Sequence, residues 1–381
     1  MPIYLDNAAT SFPKPASVVN AVMSTLQTNA ANPGRGGHHL ALDASRMVME
    51  TREAIASFFG IEDAASIVFT SNATEAINLG LFGLLKPGDR VVTTSMEHNA
   101  VIRPLKALEA CGVNVVKVQG DAKGFVDPDR IRRSCRDNTR LVVMNHCSNV
   151  SGTLQAIEEI GPWCRQQGIV FMVDAAQSAG LFPIDVEEQA IDLLAVPGHK
   201  ALMGPPGTGF LYVRPDLRLK PLIYGGTGTR SSSDSQPEEM PERLESGTLN
   251  TIGLAGLKAA LEFIVQVGMD KIRAQEQALL EPLIDGLRSI QQVVLYGPIG
   301  SERHGGALSI NLMSMDPATL GFRLDREYGI CCRVGLHCAP DAHRTLGTYP
   351  EGTVRLSPGY FNTISEIEQT LVAVRALATG Q

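Results

Sequence analysis

The chain has 381 residues, 44% hydrophobic and 19% charged, the balance of an ordinary globular protein with room for two or three domains. A formal charge of -7 argues against a nucleic-acid partner or an anionic membrane surface. No run of about 18 apolar residues is present to span a bilayer, so neither nucleic acid nor membrane is expected as a partner.

The start, Met1-Pro2-Ile3-Tyr4-Leu5-Asp6, lacks the basic region and apolar core of a secretory signal, and a cytoplasmic location is expected. Ile3-Tyr4-Leu5 reads as a strand leading through Asp6-Asn7-Ala8-Ala9-Thr10 into helices over 16–28 and 40–59. Between them Asn32-Pro33-Gly34-Arg35-Gly36-Gly37-His38 reads as a flexible loop. From residue 66 strands are expected at 66–70, 90–94, 113–118, 140–144, 169–174 and 191–194. Helices are expected between them at 74–85, 100–111, 128–135 and 156–167. Short Val/Ile/Phe-rich strands without clean alternation, separated by helices, predict a mainly parallel sheet covered on both faces.

The rhythm breaks over 225–250, a long Gly/Ser then Pro/Glu-rich connection. A helical stretch over 251–289, interrupted near Gly268, follows. Strands at 292–296, 307–312, 330–334 and 352–356 with helices at 317–328 and 365–378 predict a small α+β unit. Ser365-Glu366-Ile367-Glu368 reads as a capping box for the last helix. Seven cysteines, an odd number, speak against a disulfide framework, and adjacent Cys331-Cys332 lack zinc-site spacing.

Polar residues gather at successive strand ends. Ser71-Asn72-Ala73-Thr74 opens a helix, where free N–H groups and hydroxyls suit an anion, although an ordinary cap has the same sequence. Glu97-His98-Asn99, Asn145-His146-Cys147-Ser148-Asn149, Asp174 with Gln177, and His199-Lys200 follow later strands, on the edge where α/β proteins bind ligands. His98, His146, Asp174 and His199 could instead hold a metal, but that leaves Lys200 unexplained, and no metal is expected. An amine for a Schiff base, a carboxylate to keep a pyridine nitrogen protonated and a phosphate cradle fit pyridoxal 5'-phosphate.

Tyr4-Leu5-Asp6-Asn7-Ala8-Ala9-Thr10, Ala73-Thr74-Glu75-Ala76-Ile77-Asn78, Asp174-Ala175-Ala176-Gln177-Ser178, Gly198-His199-Lys200 and Glu245-Ser246-Gly247-Thr248-Leu249-Asn250 resemble the class V aminotransferase-fold enzymes. More closely, they are similar to the cysteine desulfurase and selenocysteine lyase branch. The resemblance implies the fold type I architecture of pyridoxal phosphate enzymes: a mostly parallel central sheet flanked by helices, with a smaller α+β C-terminal domain. It implies an arm over 1–14 joining the small domain, a large cofactor-binding domain over 15–250, a connecting helical region over 251–290 and a small domain over 291–381.

Carried over residue by residue, Lys200 is implied as the Schiff-base lysine and proton carrier. Asp174 is implied at the pyridine nitrogen, Gln177 at the phenolic oxygen, and His98 on the ring face as a further acid/base candidate. The Ala73 amide, Thr74 and His199 would hold the phosphate, with Thr248 lent by a partner subunit of a homodimer. Asn149 would orient cofactor or substrate, Arg355 would clamp the substrate carboxylate, and Arg333 and Asn7 join the substrate site. Cys338, in Cys332-Arg333-Val334-Gly335-Leu336-His337-Cys338-Ala339-Pro340, resembles the sulfur-accepting cysteine, placed beside Arg333 and His337 for nucleophilic attack. The short interval from Cys338 to Arg355 resembles the SUF-type, second desulfurase group, which passes its persulfide to a protein or small-thiol acceptor. The implied substrate is L-cysteine or L-selenocysteine. The alternative is a selenocysteine lyase, or a relative that cleaves or transaminates another small amino acid without a thiol. Two positions depart from the pattern: Pro197 stands where many SUF-type members have serine, and Ser71-Asn72 replaces a richer Gly/Thr cradle.

Overall fold

The computed structural model describes residues 2–34, 37–228, 232–299 and 303–379. Arg35 and Gly36 of the loop before the second helix, and 229–231 of the long connection, lie outside the described residues. The chain runs β1 (Ile3–Tyr4), α1 (Ala16–Thr28), α2 (His39–Phe58), β2 (Ile67–Thr70), α3 (Ala73–Leu84), β3 (Arg90–Thr94) and α4 (Asn99–Ala110). It continues β4 (Asn114–Val118), α5 (Pro128–Ser134), β5 (Thr139–Asn145), α6 (Ile157–Gln166), β6 (Val170–Asp174), β7 (Leu193–Pro197) and β8 (Gly209–Val213). Then come α7 (Thr251–Val267), α8 (Met269–Arg288), β9 (Val293–Tyr296), β10 (Leu308–Leu312) and α9 (Pro317–Tyr328). The end is β11 (Ile330–Cys331), β12 (Arg333–Gly335), α10 (Pro340–Leu346), β13 (Thr353–Leu356) and α11 (Ile364–Thr379).

Seven strands form the main sheet in the order β2-β8-β7-β6-β5-β3-β4. Five of them, β7 through β4 in that order, pair in parallel, whereas β8 runs antiparallel to both β7 and β2. The strands are apolar throughout because each face is covered. Val170, Met172, Leu141 and Val143 join one core beneath α3 and α4, and Phe171, Val173, Val142 and Met144 join the other. This is the mostly parallel sheet the sequence predicts. The strand β8 was hidden there inside a Gly/Pro-rich stretch, because an antiparallel neighbour needs no helix before it.

A third core gathers Leu279, Leu283, Leu308, Ile310, Val354 and Ile367, together with Ile3 and Leu5 from the N-terminus. Its sheet has the order β12-β13-β10-β9. The single strand expected at 330–334 is two, since β11 pairs in parallel with β1 while β12 joins β13. The expected interruption at Gly268 is a bend of 81° between α7 and α8. Gly268 has φ +91, backbone that lacks a penalty only without a side chain, and it caps both helices. The capping box of α11 lies two residues earlier than read: Thr363 Oγ1 accepts from Glu366 N–H and the Glu366 carboxylate accepts from Thr363 N–H. No single helix among the described residues is long and apolar enough to cross a membrane.

Candidate active site

Parallel strands deliver their carboxyl ends to one edge. There β3, β5, β6 and β7 run into His98, Asn149, Asp174 and Lys200, around an open cavity of about 870 Å³. Chain order reverses between β3 and β5, so their loops part and leave a crevice. Ala73, Thr74, Gln177, His199, Arg333, Cys338 and Arg355 line the same cavity. Asn7 lines an adjoining cavity that Lys200 and Gln177 share. Thr248 is exposed and is not among the residues lining either cavity. His146 is also outside: its ring packs edge-on against Phe182 at 6.1 Å.

Each wall has a local cause. Asn72 caps α3 by accepting from Glu75 N–H at 3.0 Å, and Glu75 accepts from Ser71 N–H at 2.7 Å. That leaves the Ala73 and Thr74 amides at a helix N-terminus facing the cavity, an arrangement that attracts an anion. Gly209 lets this turn lie against β7 and β8; a Cβ there would sit 2.9 Å from the Val196 carbonyl and 3.0 Å from the Asn72 backbone. Gly209→Ala should therefore displace the α3 N-terminus and weaken inorganic phosphate binding measurably in a calorimetric titration of the full chain.

Asp174 ends β6, buried, with Oδ1 accepting from Ala176 N–H at 2.9 Å. Burial raises its pKa, opposed by that bond and by Lys200, so the site favours a further cation beside it. Burial and the two nearby arginines pull Lys200 down to about 8, with Asp174 opposing. The loop carrying Lys200 is held from the N-terminal segment: the His199 carbonyl accepts from Ser11 N–H, Thr10 Oγ1 and the Lys14 amine at 3.1, 3.1 and 2.8 Å. Burial and Lys200 push His199 to about 4, and its buried Nδ1 has no protein partner. His98 is likewise neutral, lowered to about 4 by burial and by Lys200 and nearby arginines. Its Nδ1 accepts from Ala100 N–H at 3.0 Å as the cap of α4, which puts the ring proton on Nε2.

Among the described residues Arg355 is the largest fully buried side chain, with Nη1 donating to the Asn149 carbonyl at 2.9 Å and Nη2 to Asp6 at 2.8 Å. Its Nε has no partner. Arg333 is its directly opposed neighbour across β12 and β13, and two like charges in register favour an anion between or beside them. Asp6 belongs to the N-terminal motif Tyr4-Leu5-Asp6-Asn7-Ala8-Ala9-Thr10. Nothing local reveals that it meets Arg355, 349 residues away.

Cys338 is exposed on a turn whose backbone is left-handed at two successive non-glycine residues, φ +47 at His337 and +56 at Cys338. Such strain persists only where surroundings impose it. Here Asn149 Nδ2 donates to the His337 carbonyl and Asn99 N–H to the Cys338 carbonyl, both at 2.7 Å. His337, expected beside the thiol, is uncharged. Burial first, then Arg355, drive it to about 2, and its Nε2 bonds Thr353 Oγ1 at 3.0 Å. A second thiol, Cys147, lines the cavity but is pushed up to about 12 by burial and stays protonated.

The aminotransferase class-V family model matches residues 3–370. A probable cysteine desulfurase of Methanothermobacter thermautotrophicus is 40% identical over 372 residues, covering 96% of this chain and 92% of its own. The cysteine desulfurase of Haloferax volcanii is 34% identical, covering 98% of this chain and 89% of its own. Among solved structures, the apo cysteine desulfurase of Thermococcus onnurineus superimposes with a TM-score of 0.93 at 35% identity, covering 100% of this chain and 95% of that one. Motif order, sheet architecture and full-length similarity agree, and the chain belongs to the cysteine desulfurase family of class-V aminotransferases.

Proposed function

We propose that the protein is a pyridoxal-phosphate-dependent L-cysteine desulfurase that converts L-cysteine to L-alanine and carries the sulfur as a persulfide on Cys338. The carrying observation is that Cys338, on its strained turn, lines the same cavity as Lys200 and Asp174.

The residues present fit the cofactor. Asp174 offers a buried carboxylate for a protonated ring nitrogen, and the Ala73 and Thr74 amides with His199 offer a phosphate cradle. Pro197 brings no hydroxyl, so the cradle relies on the α3 terminus. When bound, pyridoxal phosphate supplies an electron sink for charge developing at the substrate α-carbon. His98 would support a face of the cofactor ring, and its Nε2–H is available as a donor. Gln177 and Asn149 would orient the oxygen side of the cofactor; Asn149 donates one Nδ2 proton to the His337 carbonyl and keeps Oδ1 as an acceptor. Arg355 and Arg333 bind the substrate carboxylate, with Asn7 at the neighbouring wall.

Lys200, poised near neutrality, takes the α-proton and returns protons on the carbon side. The Cys338 thiolate attacks the substrate sulfur: an S–S bond forms, the Cβ–S bond breaks, and its electron pair stays with carbon, which is protonated to give alanine. Exposure of Cys338 suits delivery of the persulfide to a protein or small thiol acceptor. The exposed Thr248, outside its own chain's cavity, suits a homodimer in which that loop serves the other subunit. Exposed Val19, Met23 and Leu26 on α1 supply an apolar face for such pairing.

Purified protein given L-cysteine should form alanine, and intact-mass analysis should find one added sulfur on Cys338. Cys338→Ala should abolish both. Alanine formation retained from cysteine in that variant would sink the persulfide mechanism, and activity confined to selenocysteine would favour a lyase.

A further inference from the structure

The crevice between β3 and β5 holds a carboxyl that the proposed chemistry does not use. Glu97, the residue before His98, is completely buried. The β3–β5 ladder ends at Val92 and Val142, and beyond it Glu97 bridges the gap. Its Oε1 accepts from Thr94 Oγ1 at 2.5 Å, and the Asn145 backbone N–H reaches the same carboxyl. Asn145 answers by donating Nδ2 to the Met96 carbonyl at 2.7 Å, and its own backbone pairs with Asp174 on β6. The loop carrying His98 is thus tied through Glu97 and Asn145 to the strand end carrying Asp174. Two oxygens in this junction, Glu97 Oε2 and Asn145 Oδ1, are buried without a partner. Asn145 Oδ1 can only accept, and so can the Oε2 of an ionised Glu97; with no donor reaching a buried Oε2, burying it as a neutral acid costs less than burying it as a bare charge.

We infer that Glu97 is a positioning residue that works as a neutral carboxylic acid, locking the His98 turn to the Asp174 strand and leaving Asp174 as the negative charge available to a cofactor ring nitrogen. The placement relative to a cofactor rests on the function proposed above; the protonation does not. Burial lifts the Glu97 carboxyl to about 8, Thr94 and Asn145 oppose, and Asp174 adds to the rise. The neighbouring His98 is uncharged over the same range.

The sign of the pH effect is fixed by linkage. A carboxyl raised in the folded state binds its proton more tightly there, so its contribution is complete below the unfolded pKa and is lost as pH rises through the folded one. Glu97→Gln keeps size, donor and acceptor but cannot ionise. The melting temperature of full-length Glu97→Gln, minus that of the parent, should climb from about pH 5 to about pH 8 and then level, with or without pyridoxal phosphate. A gap that stays flat over that range, or shrinks, overturns the inference. Glu97→Gln should also bind pyridoxal phosphate as the parent does, whereas Glu97→Ala, leaving Thr94 and Asn145 donors unpaired, should bind it roughly tenfold more weakly or worse. Equal losses in both variants would mean that the charge is needed, and would overturn it too.

Infrared spectra of the parent with 13C-labelled glutamate test the point without any substitution at Glu97. A protonated-carboxyl carbonyl band should be present at pH 7 and persist in Glu276→Gln, which removes a second glutamate lifted to about 8. Its absence in Glu276→Gln overturns the inference. None of these readings depends on substrate, so a failed desulfurase assay leaves them standing.

Discussion

Lys200→Ala should reduce alanine formation from L-cysteine by about 10³-fold or more, the scale expected when a positioned proton carrier is removed. The fold should survive, because the loop is held by bonds to the His199 carbonyl from Ser11, Thr10 and Lys14, none of which involves the Lys200 amine. Lys200→Arg should be as inactive: a guanidinium keeps the charge but does not give up its proton near neutrality. The cause can be measured apart from turnover. Burial lowers the Lys200 amine to about 8, so in cofactor-free protein it should react with acetic anhydride along a curve rising through pH 8. Exposed lysines follow at about 10.4. Asp174 raises the Lys200 value, and Asp174→Asn should shift that labelling midpoint to lower pH. A midpoint unmoved by Asp174→Asn would show that the two groups do not sense each other.

Breaking the pair that moors the 246–250 loop should produce the largest loss of stability. Arg52 and Glu245 make two parallel bonds of 2.8 Å, with side-chain exposures of only 6% and 9%. Glu245 also accepts from Phe69 N–H on β2, and the Arg52 guanidinium lies 4.3 Å over the Phe69 ring while donating to the Ile67 carbonyl. Glu245→Ala strands a buried guanidinium and an amide, at a cost of about 3–5 kcal/mol. Arg52→Met combined with Glu245→Leu should recover most of that loss, since two apolar groups leave neither charge uncompensated. Urea denaturation of the three proteins checks it. A single variant as stable as the parent would show that the pair contributes nothing. Thr248 sits three residues beyond Glu245, so the single variant should also disturb the segment proposed to serve the other subunit.

Much of the architecture was legible because it is written in local periodicity. Val170-Phe171-Met172-Val173-Asp174 is an apolar run ending in an acid, and it is a strand buried on both faces with its acid at the cavity. The same reasoning located the strand ends at His98, Asn149 and Lys200. It failed at β8, where the alternation of strand and helix stops and the strand emerges directly from the Gly/Pro-rich run 204–209. It also failed at 330–334, where one apolar stretch serves two sheets. At α11 the chain offers two overlapping capping patterns, from Thr363 and from Ser365, and local sequence does not choose between them.

Sheet class and the residue types that gather at the carboxyl edge follow from the chain alone. Strand period, helix caps and the order of short motifs are properties of neighbours in the chain. Which of those residues meet is set by packing across the fold. Asp6 pairs with Arg355, Arg333 faces Arg355 in register, the Cys338 turn is held in a strained form by Asn99 and Asn149, and Glu97 closes the crevice beside His98. Each is a contact between distant or diverging segments, fixed by packing and by the demand that buried polar groups find partners. Such demands are satisfied across the fold and leave no periodic trace along the chain.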